Sequence, residues 1–299
     1  MIKKVALFGK SIDQEGVIYL QQLLDKLKVF NCRLLIYEPF YDKIESKVAL
    51  NSNISLFNTH EELKNDAEML LSIGGDGTLL DTITLVRDSG IPILGVNLGR
   101  LGFLSSISKD EILPAIDKVI SGDYALDQRT LLSMETNGNI FGQLNFALNE
   151  FSITKSNTHS LAVINVFVDG KFLNTYWADG LLIATPTGST AYSLSCFGPI
   201  AAPDCENFVI TPIASHNLTV RPIIIPDKCT IRITIGGRNE QYLIGLDSRF
   251  GQIDHTAEMI IKRADFKINL IQLQNKDFFS TIREKLLWGK DQRNRFREE

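Results

Sequence analysis

The chain has 299 residues, 44% of them hydrophobic and 22% charged, with a formal net charge of −4. That length supports two domains or one large one, and the acidic balance excludes the basic stripe of a nucleic-acid binder. No apolar stretch approaches the ~20 residues that span a bilayer, so no membrane contact is expected. The first apolar run stops at Gly9, too short for a signal-peptide core. Cys32, Cys196, Cys205 and Cys229 form no C-x-x-C pair and have no histidine partners at metal spacing. Reduced thiols and a cytoplasmic location are therefore expected. The most basic run, Lys290 to Arg297, alternates with acids and reads as a solvated terminus.

In chain order, Ile2–Phe8 predicts a buried strand, and Val17, Leu20, Leu23, Leu24 and Leu27 give residues 16–30 the 3/4 spacing of an amphipathic helix. Arg33–Tyr37 predicts a second strand. Thr59-x-x-Glu62 is a capping-box start, followed by the strand Met69–Ile73 and a glycine loop. A helix from Thr78 to about Arg87 leads to the strand Ile91–Val96. Ser108-x-x-Glu111, with Pro114 tolerated in the first turn, opens another helix that ends near Ser121-Gly122. This alternation predicts βα units around a parallel sheet, a Rossmann-like α/β domain over residues 1–125.

The period then changes. Leu131–Thr136 followed by Asn137-Gly138 predicts a strand entering a tight hairpin. Leu161–Val168, Asp169-Gly170 and Phe172–Trp177 predict a second one. Thr230–Ile235, Tyr242–Leu246, Met259–Ile261 and Lys267–Ile271 continue as short strands. One helix interrupts them near Ser189–Ser195. Residues 126–275 thus read as a β-rich, sandwich-like domain, and 276–299 as a C-terminal helix and tail packing back on the first domain.

Several loops carry polar chemistry. Gly74-Gly75-Asp76-Gly77-Thr78 stands between a strand and a helix start, where backbone N–H groups and the helix dipole favour anions. Three glycines in four residues exceed the needs of a cap, yet Asp76 should repel a phosphate. Asp76 as a helix cap, a metal ligand or a proton acceptor all remain open. Gly9-Lys10-Ser11 lacks the first glycine of a Walker A loop, although Lys10 could approach a phosphate. Asn97 to Ser105 leaves the sheet at another strand end. Asn149-Glu150 alone reads as a turn. From Trp177 to Ser195 an acidic turn, an apolar strand and a Pro/Gly/hydroxyl loop lead into a helix, with Thr187, Ser189 and Thr190 as N-cap types. His60, His159, His216 and His255 form no cluster, and Ser193 and Ser195 lack a nucleophile-elbow setting.

Together these stretches resemble the NAD kinase family. The resemblance runs through Gly74–Thr78, Asn97-Leu98-Gly99-Arg100-Leu101-Gly102-Phe103, Asn149-Glu150, Asp179-Gly180, Thr185-Pro186-Thr187-Gly188-Ser189-Thr190-Ala191-Tyr192-Ser193, His216 and Arg221-Pro222. The glycine loop is shared with lipid kinases of the diacylglycerol-kinase type. The Asn-Glu pair and the Thr-Pro-Thr-Gly-Ser-Thr-Ala-Tyr run set this family apart.

The resemblance implies an N-terminal α/β domain, a β-rich C-terminal domain and a homo-oligomer, dimer or tetramer. It implies transfer of the ATP γ-phosphoryl group to the 2′-hydroxyl of the adenosine ribose of NAD, with a divalent metal, Mg²⁺ by expectation. Asp76 would lie near the accepting hydroxyl as proton acceptor, and Gly74, Gly75 and Gly77 would grip phosphates. Asn149 and Glu150 would contact the dinucleotide, with ribose hydroxyls as targets. Asp179, Thr187, Thr190, Ala191 and Ser195 would hold the bases, with Tyr192 as a stacking candidate. Asp247 matches an acidic position that a neighbouring subunit can supply. The chain departs from many relatives at Trp177, where they carry Arg, and at Arg249, where some carry Gln. A lipid or sugar kinase and a non-catalytic NAD-binding regulator are the rival expectations.

Overall fold

The structure, a computed structural model, describes residues 2–50, 53–99, 102–104, 107–156, 160–236, 241–273 and 277–288. Arg100, Leu101, Ser105, His159 and the run from Lys290 to Arg297 lie outside them. The chain divides into two compact units, Met1–Asp127 with Asn269–Glu299, and Gln128–Ile268.

In the first unit, β1 (Lys4–Gly9), β2 (Arg33–Tyr37), β3 (Ile54–Phe57), β4 (Met69–Ile73) and β5 (Ile93–Asn97) alternate with α1 (Gln14–Val29), α2 (Glu38–Ile44), α3 (His60–Asp66) and α4 (Asp76–Val86). A two-residue strand, β6 (Ile107–Ser108), and α5 (Ile112–Ser121) follow. The strands pair in parallel in the order β5-β4-β1-β2-β3. Strands such as Val5-Ala6-Leu7-Phe8 are apolar without alternation because helices cover both faces of a parallel sheet. The α1 stripe Leu20, Leu23, Leu24 and Leu27 packs into one core with Val5, Leu7, Leu34 and Ile36. Asp13 caps α1 by accepting the Gly16 N–H at 2.7 Å, and the Thr59/Glu62 box caps α3 as its spacing predicts. α2 and β3 were not foreshadowed. Pro39 in the first turn of α2 is a helix-compatible position that reads locally as a breaker.

Register decides what this sheet can do. Ile73 of β4 lies beside Gly9 of β1 and Val96 of β5. The segments beginning at Lys10, Gly74 and Leu98 therefore leave the sheet at one carboxyl edge, where ligands of open α/β sheets bind.

The second unit is antiparallel. β7 (Ala125–Thr136), β8 (Phe146–Ala147), β9 (Glu150–Lys155), β10 (Ala162–Val168), β11 (Lys171–Ala178), β12 (Gly180–Ala184), β13 (Asn207–Ile213), β14 (Ile223–Pro226), β15 (Ile231–Gly236), β16 (Gln241–Leu246), β17 (Arg249–Asp254) and β18 (Glu258–Gln272) run through it, with one helical turn, α6 (Tyr192–Ser195). One sheet follows β11-β10-β15-β18 and the other β14-β13-β12-β9-β16-β17. Ile164, Ile233 and Met259 from the first share a core with Phe151, Ile183, Phe208 and Tyr242 from the second, which makes the unit a β-sandwich.

The Asp169-Gly170 hairpin forms with both residues at positive φ, 49° and 77°, as a type I′ turn requires. Asn137-Gly138 does not close a tight hairpin. The chain instead runs through residues 137–145, because the next side chains that fit the core are Phe146 and Ala147, which pair with Ser133 and Leu132. Met259–Ile261 and Lys267–Ile271 belong to one long strand rather than two. Leu270 of β18 pairs in parallel with Ile93 of β5, adding a strand to the first unit's sheet, and α7 (Phe278–Leu286) follows. Among the described residues no helix is long and apolar enough to cross a membrane.

Candidate functional site

In the first unit, β4 hands the chain to α4 through Gly74 and Gly75. Gly74 has φ 146° and donates its N–H to the Val96 carbonyl at 2.9 Å, a conformation that only glycine adopts without strain. Gly75 is the extended N-cap of α4 and makes no side-chain cap bond. A Cβ at Gly75 or Gly77 would meet nothing within 4 Å. The first turn of an eleven-residue helix therefore presents bare backbone to open space, which suits an anion.

Asp76 is the first residue of α4 and does not cap it. Its carboxylate reaches the segment after β5 instead: Oδ2 accepts the Phe103 N–H at 2.7 Å and Oδ1 the Leu104 N–H at 3.1 Å. Gly102 makes this approach possible, since a Cβ there would stand 2.0–2.3 Å from the carboxylate atoms. Asn97 folds the start of the same segment by accepting the Gly99 N–H at 2.8 Å. The two glycine-bearing motifs are thus one structure, clasped by Asp76. Lys10 is engaged with Asp81 of α4 through an ion pair.

In the second unit, Asn149 and Glu150 open β9. The Asp247 carboxylate, 2% exposed, accepts the N–H groups of Leu148 at 2.8 Å, Asn149 at 2.8 Å and Glu150 at 3.2 Å. Asp247 lies in the two-residue turn between β16 and β17 with φ 54°, which turns its side chain inward. On the other side, the Thr185 N–H donates to the Asn149 carbonyl at 2.9 Å, and the Thr185 hydroxyl donates to the Leu148 carbonyl. Gly188 packs so closely that a Cβ would lie 2.0 Å from the Asn149 carbonyl oxygen.

Glu150 is held differently. Its Oε2 is buried and has no hydrogen-bond partner among the described residues. Burial pushes its carboxyl up to about 8, the neighbouring Asp247 charge adds to the rise, and a bond from the Tyr192 N–H opposes it. Burial also pushes Asp247 up, against its backbone N–H partners and the Arg249 charge. Of the two carboxyls Glu150 is the one that holds a proton, because Asp247 has three N–H donors and a guanidinium while Glu150 has one N–H. An orphaned carboxyl oxygen of this kind suits a ligand that brings hydroxyl donors.

The Thr-Pro-Thr-Gly loop forms a 3-10 turn over Thr187–Thr190, and α6 is one turn, shorter than the helix its hydroxyl residues predict. Those hydroxyls do not cap it. Ser189 Oγ donates to the Pro186 carbonyl at 2.6 Å and accepts the Ala201 N–H at 2.9 Å. Thr187 Oγ1 accepts from Arg129 at 3.2 Å. Thr190 donates to the Thr187 carbonyl at 3.2 Å, and Ala191 gives its N–H to Gly188. Local bonds of this kind compete with helix. Ser195 is exposed, and Tyr192 leaves 44% of its surface to solvent. Burial raises the Tyr192 hydroxyl, with Cys196, Asp179 and Glu150 adding to it. Asp179 pairs with Lys155 at 2.5 Å. The turn therefore gathers Asn149, Glu150, Asp179, Thr187, Tyr192 and Asp247 in one neighbourhood.

His216 stands apart as an exposed residue whose N–H donates to the Trp177 carbonyl at 2.8 Å. Sequence reading missed Arg129 and Lys155, which no local motif marks, and noted Arg249 only as a departure from relatives with Gln. Its guanidinium bonds the Leu144 and Phe146 carbonyls. A cavity of about 450 Å³ lined by Thr136, Asn137, Gln241 and Asp254 contains none of the motif residues. No cluster of three or more His, Cys, Asp or Glu that could hold a metal occurs among the described residues.

Residues 5–124 match the family model described as the ATP-NAD kinase N-terminal domain, and residues 148–273 the ATP-NAD kinase C-terminal domain. A protein of Cytophaga hutchinsonii named NAD kinase is 46% identical over 290 residues, covering 97% of this chain and 99% of its own. One of Flavobacterium psychrophilum with the same name is 43% identical over 293 residues, covering 97% and 100%. Among solved structures, yeast NADH kinase complexed with NADH superposes with a TM-score of 0.87 at 26% identity, covering 100% of this chain and 90% of that one. An NAD kinase from Archaeoglobus fulgidus in complex with ATP shares the fold, with a TM-score of 0.71 at 22% identity over 95% of this chain and 98% of its own.

Proposed function

The chain belongs to the ATP-NAD kinase family, and we infer that it transfers the γ-phosphoryl group of ATP to the 2′-hydroxyl of the adenosine ribose of NAD. The observation that carries the acceptor half is the buried, unpartnered Oε2 of Glu150. Leaving such an atom unpaired costs about 1–3 kcal/mol, and the ribose hydroxyls of a dinucleotide are donors that would satisfy it. Asn149 stands beside it on the same pinned backbone, and Asp179 and the Thr187–Ser195 turn flank it. Tyr192 offers a half-exposed ring on which adenine stacks.

The donor half rests on the bare turn at Gly75 and Gly77, whose N–H groups would receive the ATP phosphates, with Gly74 supplying the positive-φ bend while its own N–H is held by Val96. Phosphoryl transfer runs through a loose transition state, so positioning and charge stabilisation dominate. The hydroxyl proton leaves late, and Asp76 would accept it. Its carboxylate is held at the head of α4 by the Phe103 and Leu104 N–H bonds. Mg²⁺ fits this donor set as a substrate-borne ion. The described residues offer no cluster of three ligands, and Mg²⁺ is commonly bound through one or two carboxylates plus substrate phosphates. Carried on the ATP phosphates, the ion would offset the negative charge that Asp76 brings beside them.

Edge strands β14 and β17 expose Ile224 and Phe250, which supports a homo-oligomer. The four free cysteines agree with a cytoplasmic setting. Incubation with ATP and, in turn, NAD, sphingosine or fructose 6-phosphate tests the proposal: ADP release that depends on NAD supports it, and release with either other acceptor instead refutes it.

A further inference from the structure

The β16–β17 hairpin carries two opposite charges two residues apart, Asp247 in its turn and Arg249 at the start of β17, and both face the strand entry that carries Asn149 and Glu150. Asp247 takes N–H groups from Leu148, Asn149 and Glu150. Arg249 takes carbonyls from the same stretch, bonding Leu144 through Nη1 and Phe146 through Nη2. Its guanidinium carbon lies 5.2 Å from the centre of the Phe146 ring, and Nη2 stands 3.8 Å from Asp247 Oδ2. Only Arg can do this, since its planar fork reaches two acceptors from one rigid group. The segment 144–150 is therefore gripped on both its donor and its acceptor atoms by one hairpin.

We propose that Arg249 is a positioning residue for the dinucleotide site, setting through the Leu144 and Phe146 carbonyls and Asp247 the backbone from which Asn149 and Glu150 reach NAD. The proposal rests on the reading that Asn149 and Glu150 bind NAD. Asp247 then acts through the backbone it holds rather than by touching the ligand, which agrees with its near-complete burial. Catalysis needs side chains placed within a fraction of an ångström, and ahead of β9 the chain has only the two-residue pairing of β8 with Ser133 and Leu132 to fix it. The fork adds a side-chain hold on the Leu144 and Phe146 carbonyls to that short ladder. The backbone it grips carries the residues proposed to bind NAD, so its loss should act first on NAD.

Arg249→Gln and Arg249→Lys test this in the full chain, with KM for NAD, KM for ATP, kcat, calorimetric NAD affinity and Tm measured for each. Arg249→Gln should raise KM and Kd for NAD about tenfold or more while KM for ATP moves less than about twofold. Arg249→Lys keeps a charge beside Asp247 but cannot bridge two carbonyls, so it should still show the NAD-selective loss. If Arg249→Gln does not fold, Arg249→Lys decides the matter. An equal rise in both KM values, or a folded Arg249→Lys protein indistinguishable from wild type, overturns the proposal. Failure of the wild-type protein to bind NAD or make NADP would overturn the functional reading itself.

Discussion

Asp76 Oδ2 accepts the backbone N–H of Phe103 at 2.7 Å, so the carboxylate at the head of α4 also fastens the loop that follows β5. One side chain therefore has two jobs under the proposed reaction, shaping the loop and receiving a proton. An aspartate inside a phosphate cradle is explained in part before any substrate arrives: it is tied to a second glycine segment.

The two jobs separate by mutation. Asp76→Asn offers one acceptor oxygen where two were used, so kcat should fall by ~10², with faster amide exchange at Phe103 or Leu104. Gly102→Ala keeps the carboxylate but puts a Cβ 2.0–2.3 Å from it, and should lower kcat through displacement alone. Normal kcat in Gly102→Ala, with the fold intact, would show that the clasp is irrelevant to turnover.

Much of the first unit was legible because its signals are local. The Thr59/Glu62 and Ser108/Glu111 boxes, the α1 stripe and the unbroken apolar strands each declare themselves within a few residues. The glycine motifs marked the loops in the same way. What stayed hidden is long-range. Nothing in Asp76 announces Phe103, and nothing in Asp247 announces Leu148, about a hundred residues away. The hydroxyls of Thr187 and Ser189 read as helix caps because their partners at Arg129 and Ala201 are distant in sequence. Arg249 was unreadable for the same reason.

Glu150 should make stability depend on pH. Its folded-state carboxyl titrates at about 8, above an unfolded value of ~4.3. Between those values the folded chain holds one more proton than the unfolded chain, so its contribution is fully present below ~4.3 and lost as pH rises to 8. Glu150→Gln should flatten Tm against pH over that window and exceed wild type in Tm above it. The same substitution should raise KM for NAD, since an amide NH₂ replaces one of the two carboxyl oxygens that would face the ribose hydroxyls. Parallel Tm curves for the two proteins would count against a buried carboxyl at this position.

Tyr192 should act through its ring. Tyr192→Phe keeps the stacking face, and KM for NAD should hardly change. Tyr192→Ala should weaken NAD by about 1–3 kcal/mol, the range for base stacking on an aromatic side chain. Equal losses in the two variants would assign the effect to the hydroxyl.

Chelation should stop turnover without loosening the protein. The described residues hold no cluster of three metal ligands, so the ion is expected to arrive with ATP. Tm without nucleotide should be the same with and without EDTA, while NADP formation ceases. A fall in Tm on chelation would reveal a structural metal instead.

The most direct test is a coupled assay in which purified protein receives ATP, Mg²⁺ and NAD, and a dehydrogenase specific for NADP reports the product. The expected result is NADP formed in step with ADP, strongly reduced in Asp76→Asn. NAD that binds in calorimetry without yielding either NADP or ADP would contradict the kinase assignment and leave a binding protein in its place.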